Sequence, residues 1–235
     1  MMERPSTKRW CGVVLAVSLL GALVVVRAAP AGAEGEEMVP LPLKLPSPVF
    51  AGTPKEIPPG TTLEKPSGKP RPIPLVPKGT TNLALHKKVT SSSKGTFAGS
   101  LDLVTDGDKD ARDDSAVELK PRLQWVQIDL GATHPVYYIL VWHSHVEPMI
   151  YHDVVVQASD DPNFIEGVTT LFNNDQDNSA GLGIGKDREY WETFEGKLIA
   201  ANGTKARYVR LYSWGSSYRD PLNRYTEVEA YGLGR

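Results

Sequence analysis

Three histidines, His143, His145 and His152, have the types and spacing best suited to chemistry in this chain of 235 residues. Three neutral imidazoles suffice to hold Zn²⁺ or Cu²⁺ and leave a coordination position open. His143 and His145 stand two apart, so on a strand their side chains share a face, and His152 follows after a short loop. A hydrolytic zinc site also needs a general base, and no glutamate stands beside them in metalloprotease spacing. The second group is acidic: Asp106, Asp108, Asp110, Asp113 and Asp114 fall in one short turn that includes Gly107. Ca²⁺ takes six to eight oxygens from carboxylates and backbone carbonyls, and such a turn supplies both; an ordinary Asp-rich loop is the alternative. No GxSxG elbow is present to activate a serine, so a Ser/His/Asp hydrolase finds no support.

The segment NNDQDNSAGLGIGK over 173–186 invites two sharper readings and fails both. An EF-hand loop counted from Asn173 would need Gly where Asn178 stands and Glu where Ile184 stands. A phosphate-binding loop would need Ser or Thr after Lys186, which is followed by Asp187, and Gly in place of Ala180. What remains is a polar, flexible insertion between strands. Asn202-Gly203-Thr204 fits a glycosylation sequon and marks a surface turn.

Short strands must position these groups. From residue 82 onward, apolar runs alternate with Asp, Asn, Gly and Pro clusters, which predicts strands over 84–91, 125–130, 136–143, 154–159, 168–172, 208–213 and 227–231. In Tyr-Val-Arg-Leu-Tyr-Ser over 208–213, Val209 and Leu211 share one face, while Tyr208, Arg210 and Tyr212 share the other, as in a half-buried antiparallel strand. Trp125 and Trp142 lie within strands and are assigned to the core. Many short strands with almost no helix predict an all-β antiparallel sandwich over 82–235.

The N-terminal third is different in kind. A start with Arg4, Lys8 and Arg9, an uncharged apolar stretch over 11–26 and the run Ala31-Gly32-Ala33 describe a signal peptide over 1–33; a retained membrane anchor is the alternative. Either way the functional part is expected outside the cytoplasm, secreted or displayed at the surface. Residues 34–81 hold 12 of the chain's 19 prolines and read as a disordered linker that reaches roughly 150 Å at ~3.1 Å per residue. The chain's one cysteine, Cys11, falls in the predicted leader, so no disulfide is expected. The net charge is −2 and grows more negative once that basic leader is removed. This argues against nucleic acid and anionic membrane surfaces as partners.

Seven motifs in order, NLALHKKVTSS, LVTDGD, QWVQIDLG, YYILVW, HDVVVQASDDP, ARYVRLYSW and EVEAYG, resemble the factor V/VIII type C, or discoidin-like, domain. The resemblance covers nearly all of 82–232 and implies a galactose-binding-like jelly roll. It also implies a non-catalytic binder, most often of glycans, in some members of phospholipid surfaces or proteins. A common form of the acidic turn continues to a threonine and a tryptophan, where this chain has Ala111 and Asp113. In the resembled family a structural Ca²⁺ is held by this turn and the first glutamate of the last strand motif. That points to Asp106, Asp108 and Glu227, with Asp113 as an additional ligand. The resemblance places the ligand at the loops after YYILVW and YVRLY, so His143, His145, Tyr151 and His152 would face Trp214, Tyr218, Arg219 and Asn223. An aromatic plate beside fixed donors and acceptors suits a pyranose. The expected partner is a glycan or cell-surface polysaccharide; an envelope protein recognised by an adhesion module is the alternative.

Overall fold

Alternation along the chain does what period-two patterning demands: Val126, Ile128, Val209 and Leu211 are sealed from solvent and face one core. They sit on the two longest strands of the computed structural model, which describes residues 36–50, 54, 62–217 and 220–234. The predicted signal peptide lies outside the described residues, as do Tyr218 and Arg219. The strands are β1 (Met38–Pro40), β2 (Leu75–Pro77), β3 (Thr81–Asn82), β4 (Lys88–Ser91), β5 (Val117–Leu119), β6 (Gln124–His143), β7 (Val155–Ser159), β8 (Thr169–Asn173), β9 (Lys197–Ser213) and β10 (Asn223–Gly232). One short 3₁₀ helix, Leu101–Thr105, leads into the acidic turn. No helix among the described residues is long and apolar enough to cross a membrane.

β6 and β9 run antiparallel through both layers of the sandwich, with register shifts between Asp129 and His134 and between Val136 and Tyr138. Their outer stretch, Gln124↔Ser213 to Asp129↔Tyr208, carries β4 on β6 and β7 and β8 beyond β9. The other stretch, His134↔Ala206 to Val141↔Lys197, carries β10 with β3 and β5. Val126, Ile128, Val209, Leu211 and Val156 meet Ile139, Val141, Ile199, Val228 and Ala230 in a single core between the layers. The result is the expected jelly-roll β-sandwich. Among the described residues, all strand pairings are antiparallel.

Two expectations change. The strands predicted over 125–130 and 136–143 are one strand, and β9 extends back through Asn202 and Gly203, whose φ values of 51° and 80° let the sequon bulge without ending the pairing. The stretch expected to be a disordered linker is, over 36–50 and 62–81, laid on the sandwich. β1 and β2 pair antiparallel as a small two-stranded sheet. Leu41 and Val76 close over Leu140, Trp142 and Tyr231, the apolar outer face of the β10–β6 layer. The prolines make that segment extended; its sparse apolar residues, met by an uncovered sheet face, make it pack.

Candidate functional site

Two loops at one end of the sandwich form a small ladder of their own. The amide of Trp214 donates to the carbonyl of His152 (2.8 Å), that of His152 to Gly215 (3.1 Å), and that of Ser217 to Ile150 (2.8 Å). Tyr151 and Ser216 form the bridge between them. Gly215 has φ +73°, and a Cβ there would lie 2.6 Å from the Pro221 carbonyl oxygen, so the turn admits glycine only. Asn223 locks the base: its Oδ1 accepts from Ser213 Oγ (2.8 Å) and the Gly215 amide (2.6 Å), and its Nδ2 donates to the carbonyls of Lys120 and Arg122.

This ladder separates the expected ligand residues. Trp214 is 37 % exposed, the one exposed tryptophan among the described residues. His152 stands against it through the backbone and is half-buried. His143, His145, Tyr151 and Asn223 are buried, contrary to their expected placement in a ligand cleft. The reason is local. His143 is the last residue of β6 and points inward, stacked on Tyr151 (centroids 4.2 Å apart) with Nδ1 bonded to Glu192 Oε1 at 2.6 Å. His145 Nε2 bonds the carbonyl of Lys109 (2.9 Å), and burial lowers its basicity. The three histidines therefore have separate partners. Among the described residues, the one trio of His, Cys, Asp or Glu ligand atoms lying within 4.8 Å of one another is Asp153, Asp175 and Asp177. The three-imidazole metal centre that their spacing allows does not form.

Glu189, which the sequence did not single out, holds the half-buried imidazole of His152. Its Oε1 bonds His152 Nδ1 at 2.9 Å, and its Oε2 accepts the Thr62 amide at 2.9 Å. The Glu189 carboxylate raises the His152 imidazole above its ordinary value, and the imidazole holds Glu189 below the usual carboxylate range. Only the generic signal of a carboxylate near an imidazole could have named it, and the two are far apart in sequence.

The insertion expected to be flexible is tied at many points. Asn173 and Asp187 exchange two bonds, Asn173 N to Asp187 Oδ2 at 2.7 Å and Asp187 N to the Asn173 carbonyl at 3.0 Å. Asp175 is wholly buried and accepts the amides of Ser179 and Ala180, so the acidic trio is engaged in shaping the loop. The insertion presents Ile184, 72 % exposed, at its surface.

At the acidic turn, the Gly107 amide donates to Glu227 Oε2 (3.2 Å), while Glu227 Oε1 is buried without a protein partner. Burial pushes the Glu227 carboxyl up to about 9, and Asp106 is among the neighbouring charges that raise it further. A buried carboxylate oxygen with no protein partner is one of the six to eight oxygens that a hard cation such as Ca²⁺ would need. Asp108 turns instead to Arg112, and Asp113 is exposed. Lys109 pairs with Glu229 in the same corner.

No protein-family model matches the sequence, and no curated protein matches it. Solved structures do. Chitosan-binding module 1 of a chitosanase/glucanase from Paenibacillus sp. IK-5 is similar at 22 % identity and TM-score 0.42, over 65 % of this chain and 99 % of that one. A fucose binding module from Streptococcus pneumoniae is similar at 18 % identity and TM-score 0.45, over 64 % and 97 %. A family 89 glycoside hydrolase from Clostridium perfringens is similar at 18 % identity and TM-score 0.47, over 65 % of this chain and 14 % of that much longer one.

Proposed function

We propose that the protein is an exported, non-catalytic module that binds carbohydrate at the Trp214–His152 ladder. The observation that carries this reading is the placement of one exposed indole on a loop whose backbone is locked from both sides. A pyranose presents an apolar C–H face and a rim of hydroxyls; the indole suits the first, and the His152–Glu189 pair suits the second. The aromatic surface stays in place without ligand, so little ordering entropy opposes binding. Two of the three histidines, His143 and His145, are buried and separately engaged, which favours binding over chemistry. A glycan array followed by calorimetry of the hits tests this, with Trp214→Ala expected to lower affinity by roughly tenfold or more. Hits that Trp214→Ala binds as well as the wild type does would remove the site.

A second reading, an adhesion module that holds a cell-surface or envelope protein, is favoured by the exposed Ile184 on an ordered loop. Silence across the array together with capture of a surface protein, lost in Ile184→Asp, would select it.

The calcium is proposed on the strength of the unpartnered Glu227 oxygen. Glu227 and Asp106, with carbonyls of the turn, would hold it, and it would neutralise a buried carboxylate and brace the turn. Melting with calcium and with a chelator tests the assignment: a midpoint several degrees higher with calcium is expected in the wild type and absent in Glu227→Gln.

A further inference from the structure

Among the described residues, the proline-rich segment meets the proposed site at Glu189. Both of its carboxylate oxygens are taken: Oε2 by the amide of Thr62, Oε1 by Nδ1 of His152. Its backbone carbonyl accepts the amide of Glu64 (2.8 Å), and Glu64 is itself paired with Lys197 at the start of β9 (2.8 Å). Leu63, between these two anchors, is only 3 % exposed. Glu189 therefore joins three stretches distant in sequence: residues 62–64, the stretch that follows the insertion, and the loop that shares a ladder with Trp214.

A carboxylate on a side chain with several free torsions does not by itself fix an imidazole, because it can swing to water. Held at the second oxygen and at its own carbonyl, it can no longer do so. The ring it faces is then set in one orientation, with Nδ1 toward Glu189 and Nε2 left for another partner. At Nδ1 the carboxylate requires a proton, so the neutral ring offers Nε2 as an acceptor, the form suited to a ligand hydroxyl.

We propose that Glu189 is the positioning residue of the ligand end and that residues 62–64 are part of the site, acting through it to fix the orientation and tautomer of His152. This rests on the carbohydrate-binding reading for its functional meaning, but its geometry can be tested without any ligand. The charged groups facing His152 are Glu189 from the stretch after the insertion and Asp153 on its own loop; Glu64 and Lys197 pair with each other.

Nitrogen-detected NMR of the His152 ring in the full chain reads tautomer and titration directly. The wild type is expected to show the Nδ1–H tautomer and to titrate above the ordinary histidine value. Thr62→Pro removes the donor to Oε2 while leaving every carboxylate in place. Leu63→Asp undocks the segment by a second route. Both are expected to move the titration toward the ordinary value and to mix the tautomers, and Glu189→Gln to do so more fully. Glycan affinity is expected to fall several-fold in Thr62→Pro. A His152 titration and tautomer identical to wild type in both Thr62→Pro and Leu63→Asp would overturn the proposal. If instead the ring responds as expected but Trp214→Ala leaves glycan binding untouched, the positioning stands and the carbohydrate reading fails.

Discussion

At the scale of single residues, the same side-chain type performs opposite tasks a few positions apart. His143 and Glu192 are both wholly buried and bonded at 2.6 Å, so removing one partner strands the other away from water. His143→Ala is expected to cost roughly 3–5 kcal/mol, seen as a large drop in the denaturation midpoint. His143→Ala with wild-type stability would show that the pair is not structural. His152 and Glu189 are 37 % and 13 % exposed, and solvent screening limits their pair to about 1 kcal/mol or less. The raised His152 contributes fully below its ordinary 6.5 and loses that contribution as pH climbs through its raised value. The depressed Glu189 contributes fully above 4.5 and loses it as pH falls through its lowered value. The stability difference between wild type and His152→Ala should therefore be greatest between about pH 4.5 and 6.5 and shrink on either side. A pH-independent difference would rule out the ion pair as its source. None of this contrast was legible in the sequence, because whether a histidine at a strand end faces core or solvent depends on which residues its neighbours bring, and Glu192 and Glu189 are distant in sequence.

At the scale of elements, legibility followed periodicity. Val209 and Leu211 alternate with Tyr208, Arg210 and Tyr212 without interruption, and that part of β9 appears where expected, but it is buried on both faces rather than half-buried, because β6 and β7 flank it on either side. Its first half was hidden because Asn202-Gly203 reads as a turn, whereas the pairing with β6 absorbs the two positive φ values as a bulge. Gly131 and Pro135 likewise read as a break in β6, yet only its register shifts. The loop ladder depends on one such special position. Gly215→Ala combines a left-handed backbone with a Cβ set 2.6 Å from the Pro221 carbonyl oxygen, and is expected to destabilise by ~1–3 kcal/mol and to weaken glycan binding along with it. A Gly215→Ala protein that melts and binds as the wild type does would mean that the ladder rearranges freely.

At the scale of the whole molecule, the proline-rich segment is the largest departure from what the sequence conveyed. Leu41, Leu63 and Val76 are too sparse among prolines to show a period, so their burial was decided by the sheet face and loops that receive them. Arg71 fastens the same segment to the carbonyls of Glu195 and Gly196, at 2.6 Å each. Deleting residues 36–81 is therefore expected to uncover Leu140, Trp142 and Tyr231 and to lower the melting midpoint by at least several degrees, with dye binding to the exposed apolar face. A truncated protein as stable as the full chain would return the segment to the role of a tether. Trp142 lies where these influences meet. Its indole N–H donates to the Phe194 carbonyl (2.9 Å), the ammonium of Lys109 sits 5.0 Å from its ring, Gly196 is packed against it, and Leu41 and Val76 belong to the same cluster. The protein thus carries an intrinsic optical gauge: the emission of Trp142, taken as the difference from a Trp142→Phe protein, should move to longer wavelength when the N-terminal cover lifts and respond separately when the charge balance at Lys109 and Glu229 changes.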